Sequence, residues 1–298
     1  MIDPRLPNFF IIGAAKSGST SLYSQMRQHA NVYMSPVKEP QFFSNDDLYR
    51  RGMDYYLNTF FSGSARFEVR GEATPHYLYY EKAAARLKAE IPESHQQFIV
   101  VLRNPIERAY SLYWNMVSEG HESLSFEDAI RAEKDRSLDP GITRLGSIRF
   151  QYVDSGKYAR QLQTYFKYFD RKQIHIAFHD DLRENPQSVL DTISRFLGLE
   201  HPASKASHGD QNAAWRPRSQ HLHRFLRQPN WLKRKLGGVV PERYKRTIAD
   251  RLIQLNKREF EYPPMGNAIR RELRDVFRDD VLELQAITGR HLQNWLES

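Results

Sequence analysis

The chain has 298 residues, with 44 Lys and Arg against 36 Asp and Glu, a formal charge of +8 and no cysteine. A composition that is 40% hydrophobic and 27% charged belongs to a folded globular chain, not a disordered or collagen-like one, and the lack of thiols excludes disulfides, thiolate zinc sites, iron–sulfur clusters and cysteine nucleophiles. No apolar run approaches the roughly 20 residues of a membrane-spanning helix and no secretory signal is read at the start, so a cytoplasmic chain is expected, its positive balance calling for an anionic partner.

Residues 8–13, NFFIIG, form an apolar run closed by glycine and predict a buried strand. The small-residue loop 14–18 follows, and residues 19–29 predict a helix capped by Ser19 or Thr20. Residues 97–102, QFIVVL, predict a central parallel strand. Asn104, Pro105 and Glu107 then read as a cap, a first helical position and a capping-box acid, with Ile106, Tyr110, Tyr113 and Val117 on one helix face. Further on, 157–169 predicts a helix, 173–178 a strand and 185–197 a helix stopped by Gly198. Ile269, Leu273, Phe277 and Leu284 mark one face of a late helix, and 200–218 reads as a polar loop. Strands alternating with helices predict an α/β fold: a P-loop-like central parallel sheet flanked by helices, in a single domain over 1–298.

The loop Gly13-Ala14-Ala15-Lys16-Ser17-Gly18-Ser19-Thr20-Ser21 carries the chemistry. A glycine-containing loop between a buried strand and a helix N-terminus gathers backbone N–H groups and the positive end of the helix dipole. Lys16 adds a full charge, and Ser17, Ser19, Thr20 and Ser21 add hydroxyls. It is not a Walker A motif, in which the lysine follows the second glycine; here Lys16 precedes Gly18. A phosphate-type ligand is expected and ATP or GTP hydrolysis is not.

Three segments taken in order resemble the sulfotransferases that use 3′-phosphoadenosine 5′-phosphosulfate (PAPS). They are Lys16-Ser17-Gly18-Ser19-Thr20, then Val37-Lys38-Glu39-Pro40-Gln41-Phe42-Phe43, then Val101 to Ser111 (VLRNPIERAYS). The second segment is most similar to the carbohydrate, glycosaminoglycan-type branch, and the likeness extends through Ser155-Gly156-Lys157-Tyr158. The resemblance implies that Ala15 to Ser21 bind the 5′-phosphosulfate, with Lys16 as catalytic lysine on the leaving phosphate oxygen. It implies that Arg103 and Ser111 bind the 3′-phosphate and that Glu39 is the general base, with Lys38 on the acceptor side. Arg216 and Arg218 would belong to a late basic loop closing over the nucleotide, part of a basic loop and helical segment expected over 200–246. The product would be adenosine 3′,5′-bisphosphate, and no metal is called for. Where the carbohydrate branch has a lysine, Gly71-Glu72-Ala73-Thr74-Pro75-His76-Tyr77 offers alanine or threonine. The late cysteine pair and membrane anchor of the Golgi enzymes are also missing, which points to a bacterial-type soluble member with a different acceptor.

An acceptor hydroxyl must lose a proton as it attacks. Glu39 suits this if burial lifts its carboxyl from about 4.3. His76 is the rival, needing less tuning near neutral pH. Glu72 either orients one of these groups or pairs with a basic neighbour, and His121 is a lesser candidate for lining the acceptor pocket. The segment 215–246 holds ten Lys and Arg and one acid, Glu242; beyond residue 224 it reads as a solvated basic face, with peripheral contact to an acidic membrane as the other reading. The acceptor is expected to be a small natural product, sugar or glycolipid. The alternatives are a P-loop-type kinase or other nucleotide enzyme, opposed by the position of Lys16, and a nucleic-acid-binding protein, suggested by charge alone and supported by no motif.

Overall fold

A computed structural model describes residues 2–138, 147–199, 215–217 and 257–297. Two compact units are present: Met1–Ala109 with Val153–Asn212 and Arg270–Ser298, and Tyr110–Tyr152 with Ala213–Ile269. Among the described residues no helix is long and apolar enough to cross a membrane.

The first unit holds β1 (Phe9–Gly13), β2 (Val32–Met34), β3 (Val69–Ala73), β4 (Gln97–Leu102) and β5 (Ile174–Phe178). They form one five-stranded sheet in the order β2-β3-β1-β4-β5, and every pairing is parallel. β1 lies between β3 and β4 and is buried along its whole length, which is why FFIIG carries no polar residue. The expected strands at 8–13, 97–102 and 173–178 are therefore present. β3 was less legible, because its sequence Val-Arg-Gly-Glu-Ala breaks the apolar pattern of a central strand. Its polar side chains are satisfied inside the protein. The Arg70 guanidinium donates to the carbonyls of Leu6 (2.8 Å), Glu68 (3.1 Å) and Phe67.

Helices cover both faces. α1 (Ser19–Met26) follows β1, α2 (Asp46–Tyr49) and α3 (Gly52–Phe60) follow β2, and α4 (Glu81–Glu90) follows β3. α5 (Pro105–Ser118) leaves β4, opened by the side chain of Asn104, which accepts from the Ile106 N–H at 3.0 Å. Glu107 pairs with Arg270 at 2.8 Å. On one face Phe9, Ile11, Ile99 and Val101 pack with Leu22 and Met26 of α1 and with Val189, Leu190 and Ile193. On the other, Phe10 stacks on Phe98 at 5.9 Å and meets Phe43 edge-on at 6.1 Å. Each such fully buried ring or branched chain contributes about 1.5–3 kcal/mol.

The second unit includes α6 (Phe126–Arg131) and α7 (Glu133–Leu138). One of its buried acids, Glu122, accepts from Arg136, from the Tyr152 hydroxyl at 2.8 Å and from the backbone N–H groups of Ser123 and Leu124. Returning to the first unit, α8 (Tyr158–Phe166) precedes β5, and α9 (His179–Glu184) and α10 (Pro186–Phe196) follow it. α10 starts and stops as expected: Asn185 accepts from the Ser188 N–H at 3.2 Å, and Gly198 ends the run at φ 74°. The short α9 was not expected. Of the polar segment 200–218, only Trp215–Pro217 is described; it is a strand, β6, antiparallel to β7 (Lys257–Glu259). The late helix is α11 (Asn267–Thr288), followed by α12 (Asn294–Glu297). All four residues named for the face of α11 are buried.

Gly71 lies opposite Phe9 in the β1–β3 ladder, and a Cβ on it would stand 2.3 Å from the buried Phe9 ring. Gly71→Ala is expected to destabilise the fold by about 1–3 kcal/mol, read as a lower urea midpoint. An unchanged midpoint would mean that Phe9 has room to turn.

Candidate active site

The loop after β1 is shaped by two left-handed residues, Lys16 at φ 67° and Gly18 at φ 100°. Gly18, not Ser19 or Thr20 as expected, is the residue before the first helical turn, and no side chain caps that turn. Glycine is required here by conformation and by space. A Cβ would stand 3.0 Å from Leu182 and 3.4 Å from His179, on a backbone that L side chains rarely adopt. The first N–H groups of a helix lack intrahelical acceptors, and those at the start of α1 receive no hydrogen bond from a capping side chain. Ser17 and Ser19 are buried, while Ala15, Lys16, Gly18, Thr20 and Ser21 are half-buried.

Arg103, at the end of β4, reaches this loop: its Nη1 donates to the Lys16 carbonyl at 3.3 Å. The Arg103 carbonyl in turn accepts from the Tyr158 hydroxyl at 3.0 Å, so α8 braces the turn. His179 adjoins the same loop. Burial, then the Arg103 charge, pushes its pKa below the ordinary histidine range. His179 carries no motif of its own in the sequence; its signal is its place just beyond β5, at the carboxyl edge where α/β proteins bind ligands.

Lys38, Glu39 and His76 come from the other side of β1. The segment after β2 returns to the end of β3, where the Glu39 N–H donates to the Ala73 carbonyl at 2.9 Å. Glu39 sits at φ 61°, and its carboxylate accepts from Lys38 Nζ at 2.5 Å. Burial alone would raise this carboxyl, but the charges of Lys38, His76 and Lys16 outweigh it and hold the pKa below the ordinary value. The structure thus draws Lys16, Lys38 and His76 around Glu39, and it reverses the expectation that burial would lift the Glu39 pKa. Desolvation is the largest single influence on this carboxyl, and it is outweighed only by Lys38, His76 and Lys16 acting together with the Lys38 hydrogen bond.

Glu72 has a different environment from either one expected for it. It is fully buried and accepts from the hydroxyls of Tyr56 (2.6 Å), Thr74 (2.7 Å) and Tyr77 (3.1 Å). Burial raises its pKa to about 7, against the opposing effect of those bonds.

Ser111 is buried on α5 and His121 is exposed, both within the second unit. Arg216 is in β6, with its side chain outside the described residues, and Arg218 lies outside them altogether, as does most of 200–246.

Glu72 makes a pH test. The unfolded carboxyl releases its proton near 4.5 and the folded one near 7, so between these values the folded state binds more protons and stability falls as pH rises. Urea denaturation across this window is expected to show that fall in the wild-type chain and to show it weakened in Glu72→Gln. Equal slopes would contradict the burial argument.

Comparison with known proteins adds to this geometry. Residues 6–216 match the family model described as "Sulfotransferase domain". The chain is similar to the bifunctional heparan sulfate N-deacetylase/N-sulfotransferase of Drosophila melanogaster, 31% identical over 225 residues, covering 68% of this chain and 20% of that protein. It is also similar to human bifunctional heparan sulfate N-deacetylase/N-sulfotransferase 3, 26% identical over 98% of this chain and 31% of that protein. The chain therefore spans between a fifth and a third of these relatives. Among solved structures, a sulfotransferase from Alicyclobacillus acidocaldarius aligns with a TM-score of 0.69 at 25% identity, covering 97% of this chain and 98% of that one.

Proposed function

The chain belongs to the sulfotransferase domain family, and from that premise we propose that the Lys16 loop holds the reacting end of the donor while Glu39 takes the proton of the acceptor. Enzymes of this family transfer a sulfuryl group from PAPS to a hydroxyl or an amine, and this chain is one of them. The observation that supports the residue assignment is the Lys38–Glu39 contact at the carboxyl edge of the sheet, on a carboxylate that also feels the charges of Lys16 and His76.

The residues present fit the donor. A helix N-terminus without a side-chain cap, a lysine, serine and threonine hydroxyls and an arginine are all hydrogen-bond donors and suit a phosphosulfate. Bound PAPS supplies the sulfuryl group and a phosphate leaving oxygen. Sulfuryl transfer, like phosphoryl transfer, has a loose in-line transition state, and negative charge grows on that oxygen. The Lys16 ammonium and the first N–H groups of α1 stabilise this charge in a fixed geometry, with no reorganisation at the moment of transfer. Arg103 takes the 3′-phosphate, where the fork of a guanidinium suits a dianion.

Glu39 is ionised at neutral pH, so it is ready to accept a proton without prior deprotonation. Its lowered pKa limits its strength as a base, and the neighbouring Lys38 orients it. His76, close enough for its charge to act on Glu39, is the second candidate for the same role. The acceptor is a hydroxyl or amine of a carbohydrate or small natural product. Relatives named as heparan sulfate N-sulfotransferases support a sugar amine, while Ala73 and Thr74, where the glycosaminoglycan branch carries a lysine, favour a less anionic acceptor.

Lys16→Ala is expected to lower turnover by about 10²–10³-fold in a protein with an unchanged melting temperature; near-wild-type turnover would remove Lys16 from the reaction. Arg103→Ala should weaken adenosine 3′,5′-bisphosphate binding far more than binding of the analogue without the 3′-phosphate. Calorimetry with ATP as the control reads this, and equal losses, or tighter binding of ATP, would overturn the nucleotide assignment. Glu39→Gln should lower kcat by about 10²-fold or more with nucleotide affinity kept. The same result from His76→Ala and not from Glu39→Gln would transfer the role to His76.

A further inference from the structure

Glu72 has no part in the chemistry above, yet it is the most enclosed acid at this edge of the sheet. It lies opposite Phe10 in the β1–β3 ladder, with no exposure to solvent. A carboxylate can only accept hydrogen bonds, and each hydroxyl has one proton to give. Tyr56, Thr74 and Tyr77 all direct theirs to Glu72.

Two of these three hydroxyls have a second partner, and both partners lie in the segment that carries Glu39. The Gln41 N–H donates to Thr74 Oγ1 at 3.4 Å, and the Phe43 N–H donates to the Tyr77 hydroxyl oxygen at 3.2 Å. The segment needs such support. Glu39 and Gln41 are both left-handed, at φ 61° and 57°, a state that costs a non-glycine residue about 1–3 kcal/mol and persists only where its surroundings enforce it. Because Glu72 never donates when ionised, Thr74 and Tyr77 must turn their protons toward it and their lone pairs toward the segment. An amide in its place would offer N–H on one side and force one hydroxyl to turn round.

We infer that Glu72 is a positioning residue which, through the hydroxyls of Thr74 and Tyr77, fixes the Lys38–Phe43 segment and so aims the Glu39 carboxylate. The effect on turnover rests on the role proposed for Glu39; the effect on the backbone of the segment does not. Tyr56 provides the internal control. Its hydroxyl bonds the same carboxylate, but its tie to the segment is through its ring, stacked on Phe42 at 4.6 Å, and phenylalanine keeps that ring.

The experiment compares Thr74→Val, Tyr77→Phe, Tyr56→Phe and Glu72→Gln above the Glu72 titration at about 7. Hydrogen exchange is followed in the peptide spanning residues 38–44, alongside kcat and the affinity for adenosine 3′,5′-bisphosphate. Thr74→Val, Tyr77→Phe and Glu72→Gln are expected to speed exchange in that peptide by about tenfold and to lower kcat by at least about tenfold, with nucleotide affinity kept. Tyr56→Phe is expected to leave exchange in that peptide and kcat at wild-type values. Unchanged exchange in both Thr74→Val and Tyr77→Phe would overturn the inference. So would a Tyr56→Phe variant that loses as much as Tyr77→Phe, since the effect would then follow general loosening of the core. Faster exchange with kcat kept would uphold the positioning of the segment and overturn the role of Glu39. If Glu72→Gln does not fold, the three hydroxyl variants decide the matter alone.

Discussion

The site depends on one carboxylate held against the Lys38 ammonium, with Lys16 and His76 acting on it from two other loops. Lys16 arrives from the loop after β1, Lys38 from the segment after β2 and His76 from the turn after β3, and their charges together outweigh the burial of Glu39. The parallel sheet makes this meeting possible. Because all five strands run the same way, every loop that leaves the carboxyl end of a strand opens on the same edge, and residues distant in sequence become neighbours there.

The strand order divides the labour. β1 sits at the middle of β2-β3-β1-β4-β5. On the β4 side, Arg103 contacts the Lys16 loop, and His179 beyond β5 adjoins it. On the β3 side are Lys38, Glu39 and His76. The residues proposed to bind the donor thus flank β1 on one side and those proposed to handle the proton on the other, with Lys16 between them. Those proposed roles agree with in-line transfer, in which the attacking and leaving groups approach from opposite directions.

β3 shows how a buried polar strand is tolerated and used. Arg70 and Glu72 are both enclosed, and each is satisfied, the one by backbone carbonyls and the other by hydroxyls. An unpaired charge at either place would be costly. Glu72 is satisfied by groups that also hold the Glu39 segment, so core packing and the geometry of the site are set by the same hydrogen bonds. The raised Glu72 pKa and the lowered Glu39 pKa, on residues so near one another, follow from hydroxyl neighbours in one case and cations in the other.

The sequence alone determined the strand–loop–helix opening, the β4–α5 turn and the resemblance of the Lys16 loop and the Lys38-Glu39-Pro40 segment to a known transferase family, because each is written in contiguous residues: an apolar run, a glycine, a cap, a motif. Tertiary structure decided the rest. β3 was hidden because Arg70 and Glu72 break the apolar pattern, and only the folded chain supplies the carbonyls and hydroxyls that make them tolerable. The helix cap fell on Gly18, because the left-handed backbone there strains any L side chain and Leu182 and His179 stand close to where its Cβ would be. The direction of the Glu39 shift also required coordinates. Burial and nearby charge push a carboxyl in opposite senses, and which one wins depends on distances that the linear order of residues does not contain.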